Sequence, residues 1–437
     1  MRRFVKHNLA LIILIVMAVL FLPTVVSKDA ESESDAIVTA IGVDRQQNNY
    51  QLSLQVLVPT PASQYNQKLS VVTDKGEDIS TTISKIQLRL GKEIGLSHCK
   101  VFVFSSDVAK EGLTQVFDYI FRAKSNTQNI VLIHTPDSAK DFLTNSSDLE
   151  NNLYFSIRNR GSFNENYLIG DQTTLGSYYT DYLGPVKTSL IATVELLDEK
   201  QASGDSSSSG GGGTSSSGAS SSGSGDTSSN ESASGGDSAN ESATQGGSSG
   251  GQQKKVIVNR GKLLVVKDGK TALELTPQQS QMINWFNDKA QTGTMVIQNV
   301  TQQGLFDNAN VGVQIDQKKS TITTTFDKGM PTLTLSVKLY VRTVEINQTD
   351  YTGNSYKSNS VNVTEHLKQL IKQKVTTQAE SAFELCKDNK VDLIKVYETF
   401  NKYNNKKFKQ YLNGLDNKQD YLNQIALKVK VEVEEYL

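Results

Sequence analysis

The stretch GKEIGLSHCKVFVFSSDVAKEGL, residues 91–113, joins a glycine-broken helix end, a short apolar strand and a fresh helix start. Just before it, Ile79, Ile83, Ile86 and Leu90 recur at helical spacing, which predicts an amphipathic helix with one buried stripe, ended by Gly91 and Gly95. Residues 100–104 (KVFVF) are too few for a buried helix and are bounded by polar residues, so they read as an interior strand. A second helix should follow, with Ala109, Leu113, Val116, Phe117 and Ile120 on one face. Residues 130–134 then supply another apolar strand, and a strand, helix, strand crossover of this kind favours parallel pairing.

Upstream, Tyr50, Leu52, Leu54, Val56 and Val58 alternate with Gln51, Ser53, Gln55 and Leu57, the pattern of a strand buried mainly on one face. AIVTAIGVD, residues 36–44, is apolar on both faces. The polar run DRQQNN, residues 44–49, connects the two as an antiparallel hairpin. The amino-terminal region is therefore a mixed α/β unit.

AIVTAIGVD followed about 50 residues later by GKEIGLSHCKVFVFSSDVAKEGL resembles the Ger(x)C family of spore germination proteins. The family pattern runs glycine, apolar pair, glycine-His, a Lys-led strand, then Ala-Lys-Glu-Gly. Gly95, His98, Lys100, Ala109, Lys110, Glu111, Gly112 and Leu113 match it in order. The resemblance extends to nearly everything outside the amino-terminal apolar segment and a central insert. In the carboxyl-terminal region Gly261, the helix near Trp285, Asn310-Val311-Gly312 and Asp392 sit where similar residues occur in that family.

The carboxyl-terminal region is also readable from its residues. Residues 256–266 and 270–275 are strand-like, with Asp268-Gly269 as the turn. Thr276-Pro277-Gln278-Gln279 has the residues of a capping box with proline at the first helical position. Met282, Ile283 and Phe286 form the inner face of that helix, and Trp285, the single tryptophan, packs beside it. Leu333, Leu335, Val337, Leu339 and Val341 alternate as a long strand, as do Ile425, Leu427, Val429, Val431 and Val433 near the end. Between them Leu367, Leu370, Ile371, Val375, Ala379, Ala382, Phe383 and Cys386 define the buried face of a long helix. The order strand, long helix, short helix, final strand resembles the family's carboxyl-terminal domain.

The chain departs from the family it resembles in three places. Family members are usually lipoproteins, but no cysteine precedes Cys99, so lipid anchoring does not carry over. Residues 9–26 carry no charge behind Arg2, Arg3 and Lys6, which reads as either an export signal, with a weak cleavage site around Val25 and Ser27, or a retained transmembrane anchor. Residues 202–251 are nearly all Ser and Gly and cannot bury enough apolar area to fold, so they read as a disordered linker spanning roughly 40 Å. Where the family tends to show a tryptophan-rich stretch, Phe408, Tyr411 and Tyr421 stand instead.

Composition excludes several classes. With 45 Lys and Arg against 46 Asp and Glu, net charge −1, nothing points to nucleic acid. Cys99 and Cys386 read as two buried free thiols, not a disulfide scaffold or a zinc site. Of the four histidines, His7 belongs to the export segment, His98 reads as a hydrogen-bonding residue at a helix-to-strand junction, and His134 and His366 suit solvent-facing or capping roles. No P-loop, dinucleotide fingerprint, HExxH or GxSxG is present. No catalytic, cofactor-binding or metal residue is therefore assigned, and no enzyme is expected.

Together these readings give a multi-domain mixed α+β protein, with mixed sheets flanked by helices and a linker between two ordered halves. The expected division is residues 1–27 signal or anchor, 28–199 amino-terminal domain, 200–253 linker and 254–437 carboxyl-terminal region, with room for two subdomains. The resemblance implies a non-catalytic subunit of a germinant receptor at the extracytoplasmic face of the spore inner membrane. Its partners would be integral membrane subunits of the A and B type, with no need to touch the germinant itself. The alternative is an independent membrane-tethered adhesion or solute-binding module. A stalk placed between the two halves fits that alternative less well than one beside the anchor would.

Overall fold

The computed structural model describes residues 35–58, 68–122, 127–145, 173–198, 255–287, 292–302, 306–347 and 362–436. The apolar segment 9–26 and the Ser/Gly run 202–251 lie outside the described residues. The described residues up to Leu196 and from Ile257 onward make one compact unit. The architecture is mixed α+β, with a nine-stranded sheet, a four-stranded sheet and a two-stranded ribbon flanked by helices.

Strands β1 (Asp35–Gln46) and β2 (Asn49–Val58) form the expected hairpin, turning at Gln47 with φ 54°, and β3 (Lys68–Gly76) adds antiparallel to β2. Helix α1 (Ile79–Leu90) is capped by the Asp78 carboxylate, which accepts from the Thr81 N–H, and ends at Gly91 in the left-handed conformation. It buries Ile79, Ile83 and Ile86, as the spacing requires. The short strand β4 (Glu93–Gly95) and then β5 (Val101–Ser105) run parallel to β1.

The helix expected after β5 is two helices, α2 (Ser106–Glu111) and α3 (Leu113–Phe121), broken at Gly112 with φ 143°. The break lets the Leu113 N–H reach outward to the carbonyl of Gly269, 2.8 Å away. Strand β6 (Val131–Thr135) pairs parallel with β5, confirming the crossover. Helix α4 (Ala139–Thr144), helix α5 (Leu175–Leu183) and strand β7 (Thr188–Thr193) follow, β7 lying parallel to β6.

Strands β8 (Glu195–Asp198) and β9 (Lys255–Val258) pair as the ribbon. Next, β10 (Leu263–Lys267) and β11 (Lys270–Leu275) form a hairpin that joins the large sheet against β7. Its turn is Asp268-Gly269, both at positive φ, as expected from the sequence. The sheet order is β11-β10-β7-β6-β5-β1-β2-β3, with β4 on β1. A parallel centre is thus flanked by antiparallel hairpins drawn from before and after the insert.

Alternate residues of these strands serve two cores. Ile41, Phe102, Phe104, Leu132 and Ile191 face α1, α2, α3 and α5. Ala40, Val101, Val103, Ile133 and Val265 face α4 and a core that continues into the carboxyl-terminal region. Strand β2 was expected to bury one face, yet Gln51, Ser53 and Gln55 are buried too. Helix α4 covers that side. Two of these polar groups are paired there: Ser53 Oγ lies 3.0 Å from Thr73 Oγ1, and Thr39 Oγ1 donates to Gln55 Oε1 at 2.9 Å.

Helix α6 (Pro277–Phe286) starts in the capping box the sequence shows, with Thr276 and Gln279 bonding each other's backbone N–H. Strands β12 (Gly293–Gln302), β13 (Phe306–Asp327) and β14 (Met330–Asn347) run antiparallel in turn. Helix α7 (Glu365–Asp388) buries Leu367, Ile371, Val375, Ala379, Ala382, Phe383 and Cys386. Two short helices, α8 (Val396–Tyr403) and α9 (Asn405–Asn413), lead to β15 (Ala426–Glu435), which pairs parallel with β14 at the sheet edge. Lys318, in mid-β13, is buried. Its Nζ reaches Ser320 Oγ at 2.9 Å and the Trp285 carbonyl at 3.5 Å, placing a cation at the C-terminal end of α6.

Candidate functional site

After α7 the chain turns at Lys390 (φ 54°) and again at Lys395 (φ 57°), with Val391, Asp392, Leu393 and Ile394 buried between. Asp392 Oδ1 accepts the Val396 N–H at 2.8 Å. Its Oδ2 accepts the Tyr397 N–H at 2.8 Å and the Tyr421 hydroxyl at 2.6 Å. The two N–H groups open α8, so the carboxylate sits at the positive end of a helix. Burial pushes the Asp392 carboxyl above its usual range, against the pull of these donors. Burial also pushes the Tyr421 phenol up, with the Asp392 charge adding to it, and the phenol keeps its proton as the donor.

Of Phe408, Tyr411 and Tyr421, the first and last are buried and Tyr411 is half-buried. Phe408 is buried against Phe400, with ring centroids 5.2 Å apart, and against Tyr397 at 5.3 Å. Tyr411 donates to the Tyr421 carbonyl at 2.6 Å. This cluster holds Asp392 in place from behind.

In front of Asp392 lies a cleft of about 260 Å³, walled on one side by α5 and the 184–188 loop and on the other by residues 392–398. Ser177, Thr180, Asp181 and Thr188 offer polar groups from one wall, and Lys395 and Glu398 from the other. Beyond Pro185 and Val186 it continues into a second hollow of about 200 Å³ lined by Lys187, Lys267, Lys390 and Lys418. Two bonds stitch across this hollow: Lys267 Nζ donates to the Lys390 carbonyl at 2.7 Å, and Lys390 pairs with Asp420 at 2.8 Å. The Asn287 amide donates to the Leu393 carbonyl at 2.8 Å. The Asp392 oxygens are all engaged, and among the described residues no histidine or cysteine lines either hollow.

A second buried carboxylate repeats the device. Asp44, at the end of β1, accepts from the N–H groups of Ala139 (2.7 Å) and Lys140 (2.9 Å) and from Ser138 Oγ (3.2 Å), fixing the start of α4. Burial raises its pKa as well. Neither role is visible in local sequence, although an Asp closing an apolar strand, as in AIVTAIGVD, is the signal that could have marked it.

His134 is buried at the carboxyl end of β6, where a solvent-facing or capping role was expected. Its Nε2 lies 2.9 Å from Ser106 Oγ and its Nδ1 3.0 Å from Thr193 Oγ1. Burial, with a lesser push from Lys110, lowers its pKa to about 4, so the ring is neutral. The group beyond it is a hydroxyl, with no carboxylate to stabilise an imidazolium, so serine and histidine here form a structural bridge. The neighbour that buries it, β7, lies more than fifty residues on, beyond any local pattern.

The remaining residues singled out by sequence are dispersed. His98 is exposed in a turn, where its side chain makes no hydrogen bond among the described residues, and His366 is exposed at the start of α7. Cys99 and Cys386 are free and buried, their thiols pushed up to about 12 by desolvation. Trp285 is packed in the core. Gly261 adopts φ 78° and donates to Asn259 Oδ1 at 2.8 Å, and Gly312 packs so closely on β14 that a Cβ would stand 3.2 Å from that of Glu345. Among the described residues no group of three or more His, Cys, Asp or Glu could hold a metal, and no helix is long and apolar enough to cross a membrane.

Two family models match the chain in tandem. One, described as the spore germination protein N-terminal domain, matches residues 29–196, and the other, spore germination B3/GerAC like, C-terminal, matches residues 261–434. No curated protein matches the sequence. The structure is similar to the crystal structure of the GerBC protein at 14% identity and a TM-score of 0.50, covering 91% of this chain and 97% of that one, a likeness of fold.

Proposed function

We propose, for a chain that belongs to the Ger(x)C (GerAC-like) family of spore germination proteins, the role of non-catalytic subunit in a membrane nutrient germinant receptor. The observation that carries this reading is the tandem match on both sides of the Ser/Gly insert, with each matched segment supplying strands to the nine-stranded sheet. In this reading the chain works by docking on integral membrane subunits of the A and B type and helping convert their nutrient response into germination. The segment 1–27 holds it at the extracytoplasmic face of the spore inner membrane, and 200–253 connects the regions 28–199 and 254–437. The structural roles found for Asp44, Asp392 and His134 support a body whose buried polar groups maintain shape for docking.

Deletion of the gene in its spore-forming host, scored by dipicolinate release against amino acids, sugars and bile acids, tests the proposal. Loss of response to a subset with normal sporulation is expected, together with co-purification of two multi-spanning partners. A normal response to the whole panel with no such partners would instead assign the chain to a tethered adhesion or solute-binding role.

A further inference from the structure

The four-stranded sheet ends on β15, and among the described residues no strand pairs with its outer side. All ten residues, ALKVKVEVEE, pair with β14 in unbroken register, with no bulge and no proline. On the other side of β15 no backbone group among the described residues bonds to it. Sheets normally blunt such an edge with a bulge, a proline, an inward-pointing charge or a row of charged side chains, because its free N–H and C=O groups template another strand; of these β15 has only the charged row, and that row carries both signs. The inward row of β15 is also incompletely covered: Leu427, Val429 and Val431 are half-buried, whereas Leu333, Leu335 and Val337 beside them on β14 are buried.

The outward row reads Lys428, Lys430, Glu432, Glu434, all exposed. Lys428, Lys430 and Glu432 form no ion pair among the described residues, and Glu434 holds Lys338 at 2.7 Å. Two positive charges followed by two negative ones on one face of an edge strand are complementary to the same strand reversed.

We propose that β15 pairs antiparallel with β15 of a second copy of this chain, about a two-fold axis through Val431, joining two four-stranded sheets into one continuous sheet. The charge row selects this register. Centred on Val431, Lys430 stands opposite Glu432 of the second copy and Lys428 opposite its Glu434, each pair occurring twice. Moving the centre to Lys430 places that lysine opposite itself, and moving it to Glu432 does the same for the glutamate, which like-charge repulsion disfavours. A slip by one residue would bring the charged row of one copy opposite the apolar row of the other. Parallel pairing in register would stack lysine on lysine and glutamate on glutamate. The interface is isologous, so it closes at two copies. It does not depend on the germination reading.

The test uses the full-length chain in detergent, by sedimentation equilibrium over a range of protein concentrations. Wild type is expected to dimerise, and Glu432→Lys with Glu434→Lys in one chain should weaken that dimer by at least about tenfold. Lys428→Glu with Lys430→Glu should do the same, and an equimolar mixture of the two variants should recover association. These positions are exposed, and an unchanged circular dichroism spectrum verifies folding. As an independent register probe, Lys430→Cys mixed with Glu432→Cys should oxidise to a disulfide-linked heterodimer faster than either alone, Cys99 and Cys386 being buried. A monomer at every concentration overturns the proposal and leaves the edge to a strand from another protein. A dimer indifferent to both charge reversals overturns it too, because association would then use another surface.

Discussion

In the nine-stranded sheet, β5 and β6 are buried at every position, whereas β14 of the four-stranded sheet alternates buried Leu335, Val337 and Leu339 with half-exposed Ser336, Lys338 and Tyr340. A polar side chain in β5 or β6 must find its partner inside the protein, while one on the half-exposed row of β14 can leave its needs to water. That explains why His134, like the buried Asp44, Ser53 and Gln55, sits in specific bonds, and why Thr334 and Ser336 carry no comparable burden. It also explains why one sheet can serve two cores and the other one. The largest effect expected from this contrast is at Phe102, fully buried with its ring edge-on to Phe117 at 5.1 Å. Phe102→Ala should cost about 4 kcal/mol in denaturant unfolding. A loss as small as that of a surface substitution would mean that the first sheet is not enclosed on its helical face.

His134 sharpens the contrast through pH. Its pKa is lowered from 6.5 to about 4 in the folded protein, so the folded state resists a proton that the unfolded chain accepts. The stability this contributes is present above pH 6.5 and is lost as pH falls through 4, about 3 kcal/mol in all. Asp44 and Asp392 have the opposite sign. Their raised pKa values mean stability present below the ordinary carboxylate range and lost as pH rises through the folded value. The difference between wild type and His134→Gln isolates the histidine: the variant should lose less stability than wild type between pH 6.5 and 4. Identical slopes would show that the ring is reached by solvent.

The turn glycines offer a matched pair, one per sheet. Asp268-Gly269 closes β10 and β11 and Lys328-Gly329 closes β13 and β14, both residues of each at positive φ. A Cβ on Gly329 meets nothing within 4 Å, but one on Gly269 would stand 2.5 Å from Thr114 Oγ1, because α3 is seated on that turn. Gly329→Ala should cost about 1 kcal/mol, the conformational penalty alone. Gly269→Ala adds a steric conflict and should cost about 2 kcal/mol. Equal melting temperatures for the two variants would mean that α3 yields freely.

These pairs also mark how far the sequence could be read. Hydrophobic period and turn chemistry placed α1, β5, β6, α6, α7 and the Asp268-Gly269 hairpin, since each depends on neighbours within a dozen residues. What period could not supply was which strands become central. The second face of β2 is closed by α4, and His134 is enclosed by β7, both through contacts distant in sequence. Gly112 was visible as a glycine, yet its use as a helix break depends on the Gly269 carbonyl more than 150 residues on. The Asp392 cleft was legible only as a position where similar residues occur in the family. Its carboxylate is defined by Tyr421, which stands in the stretch where the chain departs from that family.

The smallest effect is the one that separates two strands within the same sheet. Val337 on β14 and Val431 on β15 are direct neighbours in the register and point to the same side, so they differ mainly in what lies beyond them. Val337 is 2% exposed, with strands on both flanks, and Val337→Ala should cost about 2 kcal/mol. Val431 is only half-buried because its outer flank is open, so Val431→Ala should cost about 0.5 kcal/mol when measured at a concentration too low for association. Raising the concentration should widen the second value if another copy covers the edge, while leaving the first unchanged. Were Val431→Ala to match Val337→Ala even at high dilution, the outer flank of β15 would already be covered within one chain, and the edge would have no strand to offer.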